Sequence, residues 1–488
     1  MNNDAPRTAR EAWGSRFGFL MAMLGAMVGV GNIWRMPYAA GQNGGGAFLV
    51  AYFILLFVIA VPGLMAETGL GSYTKQGAIG SFRHVFGRGR LEGLGLVVAL
   101  VNLAVMSYYA PIVGWTLYYA AHAFLFTFFR PGFEARAFWD SFSGSPLLTV
   151  GTHTLAMAAV GGLLWFGIRR GIERAVKWMV PLLVVALVAI AIRGLTLPGA
   201  MGGLEFAFNP DWRFLARGQT WIAALGQALF STGLGWGIAL TYGSYLRKHD
   251  DVPLGGGVFT AVGNTSIGLL AVFAVFPVVF GFGLNPSEGS ELTFISLVSV
   301  FPEMPGGPVW AIVFFVGFFF AAFTSGLAIT EVGVTTAVEE LGMPRGRAVV
   351  GVCAGIWGLG LPSALDTDFL GMMDFMFGNW GLPLATLLII ATIGWRIGPE
   401  TVRVIVLNRT TDLYVGAWWN GIVRAVIPIV MVCIMAYYVA TEVGQDPLRT
   451  LGGLALMALL LVGCVMIMAR LREGGATRAA ARSSSGGE

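Results

Sequence analysis

Twelve apolar runs joined by short polar loops restrict this chain to one kind of fold. They cover 17–40, 46–71, 92–128, 148–168, 173–195, 219–246, 255–284, 308–338, 347–362, 369–396, 415–440 and 449–470. Most match or exceed the roughly 20 residues that a helix needs to cross hydrocarbon. The longer ones must tilt or run past the bilayer. Hydrocarbon offers no hydrogen-bond partners, so each run is expected to satisfy its backbone internally as a helix. The chain is 56% hydrophobic and 11% charged, with a mean hydropathy of +0.75. Soluble domains carry about 25% charge, so the expectation is an all-α polytopic membrane protein.

The basic residues sit in the loops. With the N-terminus inside, one side carries Arg7, Arg10, Arg16, Lys75, Arg83, Arg88, Arg90, Arg169, Arg170, Arg174 and Lys177, and further arginines towards the C-terminus. The other side has Arg130, Arg136, Arg193, Arg213, Arg217 and Arg449. This asymmetry predicts both termini in the cytoplasm and a place in the cell (plasma or inner) membrane. A net charge of +4 spread through loops is no nucleic-acid footprint. Cys353, Cys433 and Cys464 stand in apolar surroundings without ligand spacing, and His84, His122, His153 and His249 are scattered. They read as core thiols and isolated imidazoles, not as a disulfide framework or a catalytic metal centre.

The first run is interrupted. Gly25-Ala26-Met27-Val28-Gly29-Val30-Gly31-Asn32-Ile33-Trp34-Arg35 places glycines, an amide and a guanidinium inside a span, followed by Pro37. Such a run frays a helix, and its freed backbone is tolerable at depth only beside other protein or a cavity. Five runs later, Gln227 to Gly237 repeats the pattern with Gly233, Gly235 and Gly237. Paired breaks at corresponding places point to a 5+5 inverted repeat around a mid-membrane site. The expected organisation is a cytoplasmic segment 1–16, repeats 17–195 and 219–396, two additional spans in 415–470, and a disordered cytoplasmic tail 471–488. The tail is rich in Ala, Arg, Ser and Gly.

At these residues the chain resembles the neurotransmitter:sodium symporter family. The run Val28–Tyr38, then Asn43-Gly44-Gly45-Gly46-Ala47-Phe48, carries the likeness. Pro62, Glu67, Trp115-Thr116-Leu117, Tyr242-Gly243-Ser244-Tyr245, Asn264, Thr324-Ser325 and Asp374 extend it from about residue 10 to 440. The resemblance implies a sodium-coupled secondary transporter, not an enzyme, with twelve membrane helices of which the first and sixth are broken. A proton-coupled transporter of the same fold, an ion channel and a non-transporting amino-acid sensor are the alternatives. The Thr324-Ser325 pair favours sodium.

The resemblance also implies two sodium sites. The first comprises the Met27 carbonyl, Asn32, Ser231 and Asn264, completed by the substrate carboxylate. The second comprises the carbonyls of Gly25, Val28 and Ala321 with the hydroxyls of Thr324 and Ser325. Unwound carbonyls and hydroxyls supply the oxygens that a hard cation takes. Back-bonding to their own helix is the ordinary fate of such hydroxyls.

Substrate polarity follows from what stands at residue 29. Monoamine-carrying relatives have Asp there, whereas this chain has Gly29. The backbone of Val28 to Gly31, with Tyr109, would then hold a carboxylate at a helix end. Carbonyls near Phe230 and Thr232 would take an ammonium. Val105, Ile112, Phe230, Gly233, Trp236, Ser325 and Ile329 would line an apolar side-chain pocket, which suits a neutral, aliphatic amino acid. Arg35 and Asp374 would form the outer gate above Tyr109 and Phe230. Arg10 and Glu339, with Trp13, Ser244 and Tyr245, would form the inner one. Chloride-requiring relatives use a tyrosine, a glutamine, hydroxyls and an amide. Tyr52, Gln227, Ser231 and Asn264 match four positions, and Gly268 stands where many bacterial relatives carry an acid. Chloride stimulation is therefore expected.

Overall fold

A computed structural model of the chain describes residues 11–247, 249–283, 292–410, 412–442 and 447–484. No strand occurs among them. Ten continuous helices are long and apolar enough to cross a membrane: Gly46–Thr74, Arg90–Phe124, Pro146–Leu164, Ile168–Leu195, Pro253–Gly281, Gly307–Leu341, Arg345–Leu365, Thr367–Ile397, Trp418–Thr441 and Thr450–Arg470. Two broken spans complete the twelve, the first as Arg16–Met27 with Gly31–Gln42 and the sixth as Gly218–Thr232 with Ile238–Ser244. The third and eighth spans pack along each other, and the first half-helix of span one lies against the fifth and eighth.

Each break has a local cause. Ser15 caps the first half-helix by accepting from the Gly18 N–H at 3.0 Å. That helix ends where Val28 turns extended, and the chain resumes at Gly31 bent by 62°. In span six the helix stops on Gly233, with Gly235 and Gly237 also left-handed at φ values of +63°, +85° and +72°. Residues with a Cβ rarely adopt that region, so the glycines make the break.

Backbone freed by the second break is taken up by three other spans. The Gly235 N–H donates to Glu67 at 2.8 Å, Thr386 donates to the Leu234 carbonyl at 3.2 Å, and Asn102 donates to the Trp236 carbonyl at 2.7 Å. These bonds let an unwound segment persist inside a membrane-spanning body.

Two sequence expectations change. The segment 471–488 was expected to be disordered, but the last helix, Pro447–Ser484, continues through most of it. Alanine and arginine are strong helix formers, and the preceding span supplies the nucleus. Of the three cysteines, all free, Cys464 is buried and Cys353 half-buried, but Cys433 is exposed on the eleventh span.

Candidate functional site

Both breaks open onto one small cavity. Its wall is formed by Ala26, Met27, Gly29, Val30, Gly31 and Asn32 of span one, Tyr109 of span three, Phe230, Ser231, Gly233 and Trp236 of span six, and Ser325 of span eight. The enclosed room is about 20 Å³, which admits a single water molecule. Phe230 and Trp236 meet edge to face at 5.3 Å. Val105, Thr232 and Ile329 are fully buried but lie outside this wall, and Ile112 lines the larger opening above it. Thr232 donates back to the Ala228 carbonyl at 2.6 Å.

On one side of the cavity, three spans bring Asn32, Ser231 and Asn264 into a closed set of hydrogen bonds. Asn32 Nδ2 donates to Asn264 Oδ1 at 2.8 Å and to the Asn264 carbonyl at 2.9 Å. Asn264 Nδ2 donates to Ser231 Oγ at 2.7 Å, and Ser231 Oγ donates to Asn32 Oδ1 at 3.1 Å. Several neutral oxygens thus converge with no carboxylate among them.

A second convergence lies at Ser325, whose Oγ donates to the carbonyls of Val28 at 3.3 Å and Gly25 at 3.4 Å. Thr324 donates to Phe320 and Ala321 of its own helix at 2.9 and 3.3 Å. That back-bond uses the hydroxyl proton and leaves lone pairs for a cation. A Cβ on Gly25 would lie 3.4 Å from the Thr324 Cβ, so the two elements are in contact there.

Gly29 is enclosed. A Cβ at this position would lie 2.9 Å from Ser325 Oγ and 3.1 Å from the Tyr109 hydroxyl. The Val30 N–H donates to that same hydroxyl at 3.4 Å.

Of the residues expected at an anion site, Ser231 and Asn264 bond to each other, while Tyr52 and Gln227 are held by bonds outside that set. Tyr52 and Thr265 share a hydrogen bond at 3.0 Å, and Gln227 donates to the Gly31 carbonyl at 3.1 Å. A Cβ on Gly268 would lie 3.5 Å from Asn32 Nδ2 and within 2.5 Å of the Met36 sulfur.

Away from the chain termini, the cavity gives onto a vestibule of about 360 Å³ lined by Arg35, Tyr108, Trp115, Trp139, Phe294 and Asp374, among others. Arg35 and Asp374 face this space, but among the described residues they form no ion pair, contrary to the gate expected from sequence. With the vestibule open, the Arg35 guanidinium instead sits 5.0 Å above the Phe230 ring.

On the face where the first described residues lie, Trp13 is tied to span six. Trp13 Nε1 donates to the Tyr242 carbonyl at 3.1 Å, and the Trp13 N–H donates to the Tyr245 carbonyl at 3.3 Å. Ser244 donates to Thr241 of its own helix at 2.5 Å. Glu339 accepts from the Gly77 N–H at 2.8 Å. Arg10, its expected partner, lies outside the described residues.

A bidentate ion pair holds this face as well, and its members are absent from the site residues read from sequence. Arg345 donates to both oxygens of the fully buried Glu331 at 2.9 and 2.8 Å. Tyr245 donates to the same carboxylate at 2.9 Å. An acid inside a span marks a functional position by default, and Glu331 could have been found that way. Its partner could not, since Arg345 stands beyond a helix corner.

Residues 10–130 and 145–468 match the Sodium:neurotransmitter symporter family. An uncharacterized sodium-dependent transporter of Haemophilus influenzae is 32% identical over 448 residues, covering 87% of this chain and 97% of that protein. The sodium-dependent serotonin transporter of Drosophila melanogaster is 29% identical over 381 residues, or 69% and 61% of the two chains. The crystal structure of MhsT in complex with L-phenylalanine superposes with a TM-score of 0.80 at 33% identity, covering 88% of this chain and 99% of that one.

Proposed function

The chain belongs to the sodium:neurotransmitter symporter family and is a sodium-dependent membrane transporter, not an enzyme, and from that premise we propose that it imports a neutral α-amino acid by alternating access. The observation that carries this reading is the meeting of two broken spans at one cavity lined by neutral oxygens and amides. One sodium ion would be held by the Met27 carbonyl with Asn32, Ser231 and Asn264, and by the substrate carboxylate. A second would be held by the carbonyls of Gly25, Val28 and Ala321 with Thr324 and Ser325. In that arrangement the substrate completes an ion's shell, which couples the two fluxes without covalent chemistry.

The N–H groups of Val30 and Gly31 at the start of the second half-helix, with the Tyr109 hydroxyl that the Val30 N–H now meets at 3.4 Å, suit a carboxylate that would replace this long contact. No carboxylate lines the cavity to meet a cationic side chain, and the enclosure of Gly29 leaves none to be placed there. The related protein solved with L-phenylalanine supports an amino-acid substrate. We place the terminal face in the cytoplasm, on the distribution of loop arginines. The open vestibule, and Trp13 tied to span six on the terminal face, then correspond to an outward-facing state, with repeats 17–195 and 219–396 moving against each other. Tyr52, Ser231 and Asn264 offer donors suited to chloride beside the first sodium site, and Gly268 brings no fixed charge.

The deciding experiment is uptake by proteoliposomes of the purified protein. An inward sodium gradient should concentrate a neutral amino acid above its external level, and collapsing the gradient should abolish this. A sensor would bind without accumulation, and a channel would equilibrate without concentrating. A proton-coupled carrier would follow a pH gradient instead.

A further inference from the structure

The proposed function gives the carboxylate of an amino acid a place in this site, but one wall residue makes a demand of its own. Trp236 is 4% exposed, and its indole Nε1 has no acceptor among the described residues. Its backbone carbonyl is already fixed by Asn102, and its ring is braced edge to face on Phe230. The other polar side chains of the wall differ: Asn32, Ser231 and Ser325 are all hydrogen-bonded, and the Tyr109 hydroxyl accepts from Val30. Indole is a donor only, so it cannot satisfy itself by accepting, and a buried donor without a partner is costly. Room for about one water means that any ligand must widen the cavity, and Trp236 is the largest side chain in its wall.

We propose that Trp236 is a specificity-determining donor and that the substrate is a neutral amino acid whose side chain carries a hydrogen-bond acceptor, a hydroxyl or a carboxamide oxygen, received by the indole N–H. This rests on the amino-acid reading above and narrows it, replacing the purely aliphatic side chain expected from sequence. The physical basis is asymmetric. An aliphatic side chain of the same size leaves the donor buried and unmet, whereas an acceptor removes that penalty without adding charge.

Matched pairs test this in the purified full chain with sodium present. Threonine against valine probes the hydroxyl, and asparagine against leucine probes the carboxamide. Threonine and valine are close in volume, so cavity size largely cancels in that pair. Leucine is larger than asparagine, so that pair counts only where its preference is lost in Trp236→Phe. The wild type should bind one polar member at least about tenfold more tightly than its isostere. Trp236→Phe removes the N–H and keeps an aromatic wall, so that ratio should fall to near one whatever the change in absolute affinity. Incorporating benzothienylalanine at position 236, which has sulfur in place of the N–H, checks the result at constant shape. Equal or reversed ratios in the wild type overturn the proposal even if neither variant folds. A preference that survives both substitutions overturns it too. Sodium-driven accumulation of valine or leucine without polar preference rejects this inference alone. Absence of sodium-driven accumulation of any amino acid rejects the function on which it rests.

Discussion

The carboxamide of Asn32 donates to the side-chain oxygen of Asn264 at 2.8 Å, tying the break in the first span to the seventh. Ser231 bonds to both, so three spans share one set of neutral donors and acceptors. A cation entering there would take over oxygens that now accept these bonds. Asn264→Leu keeps the branched shape, though it is larger, removes one such oxygen and leaves Asn32 and Ser231 short of partners. The loss should cost about 1–3 kcal/mol of stability. Sodium should then no longer raise the thermal unfolding temperature of the purified protein. A sodium-induced rise as large as in the wild type would remove Asn264 from the ion site.

The second oxygen set makes a separable prediction. Ser325 bridges to the carbonyls of Gly25 and Val28, and Thr324 keeps lone pairs free despite its back-bond. Thr324→Val with Ser325→Ala removes two hydroxyls at little cost in volume. Sodium-driven uptake should collapse in this variant while insertion and monodispersity persist. Sodium dependence indistinguishable from the wild type would show that the carbonyls suffice or that the site lies elsewhere.

Closure of the terminal face should depend on Arg345. Its partner Glu331 is fully buried and the pair is bidentate, so removing the cation strands a buried carboxylate. The Arg345 side chain is 21% exposed, which softens the loss to roughly 3 kcal/mol at most. Arg345→Ala should loosen Trp13 and Tyr245 and increase thiol labelling of a cysteine introduced at the buried Ser244. Adding Glu331→Leu should restore protection, because no charge is then left unpaired. Equal labelling in all three proteins would show that the pair does not govern closure.

How much of this was legible in the sequence depended on how local each cause is. The break in span six follows from glycines at 233, 235 and 237, because left-handed backbone is a property of the residue itself. In span one the chain instead turns extended at Val28, and glycine is needed at 29 and 31 for the close approach of Ser325 and Phe230. Asn32, Ser231, Asn264 and Ser325 come together because span order fixes which breaks face each other. Long-range satisfaction of the backbone was not legible. Nothing in Asn102 or Thr386 announces that each will bond a carbonyl in the sixth span. The pairing of Glu331 with Arg345 was hidden for the same reason. Conformational state was also beyond reach: the residues predict that Arg35 and Asp374 face each other, but not whether the vestibule between them stands open.

Chloride supplies the last prediction. A desolvated cation beside Asn32 and Asn264 calls for compensating negative charge, since Coulomb interactions strengthen as the effective dielectric falls. Among the described residues no carboxylate hydrogen-bonds to this cluster, and Gly268 stands beside Asn32 without a side chain. The hydroxyls of Tyr52 and Ser231 and the carboxamide of Asn264 can each donate as well as accept, so the oxygens can face a cation while the O–H and N–H groups turn to an anion. Replacing chloride with gluconate should therefore slow sodium-driven uptake several-fold. Gly268→Glu should make uptake independent of chloride by placing a fixed charge beside Asn32 Nδ2, which lies 3.5 Å from a Cβ at 268. The new side chain has to displace the Met36 thioether, a flexible end that can move. Gly268→Ala imposes that displacement without the charge and should remain chloride-dependent. Equal wild-type rates in the two anions would refute the chloride site, and loss of dependence in the alanine variant would assign the effect to packing.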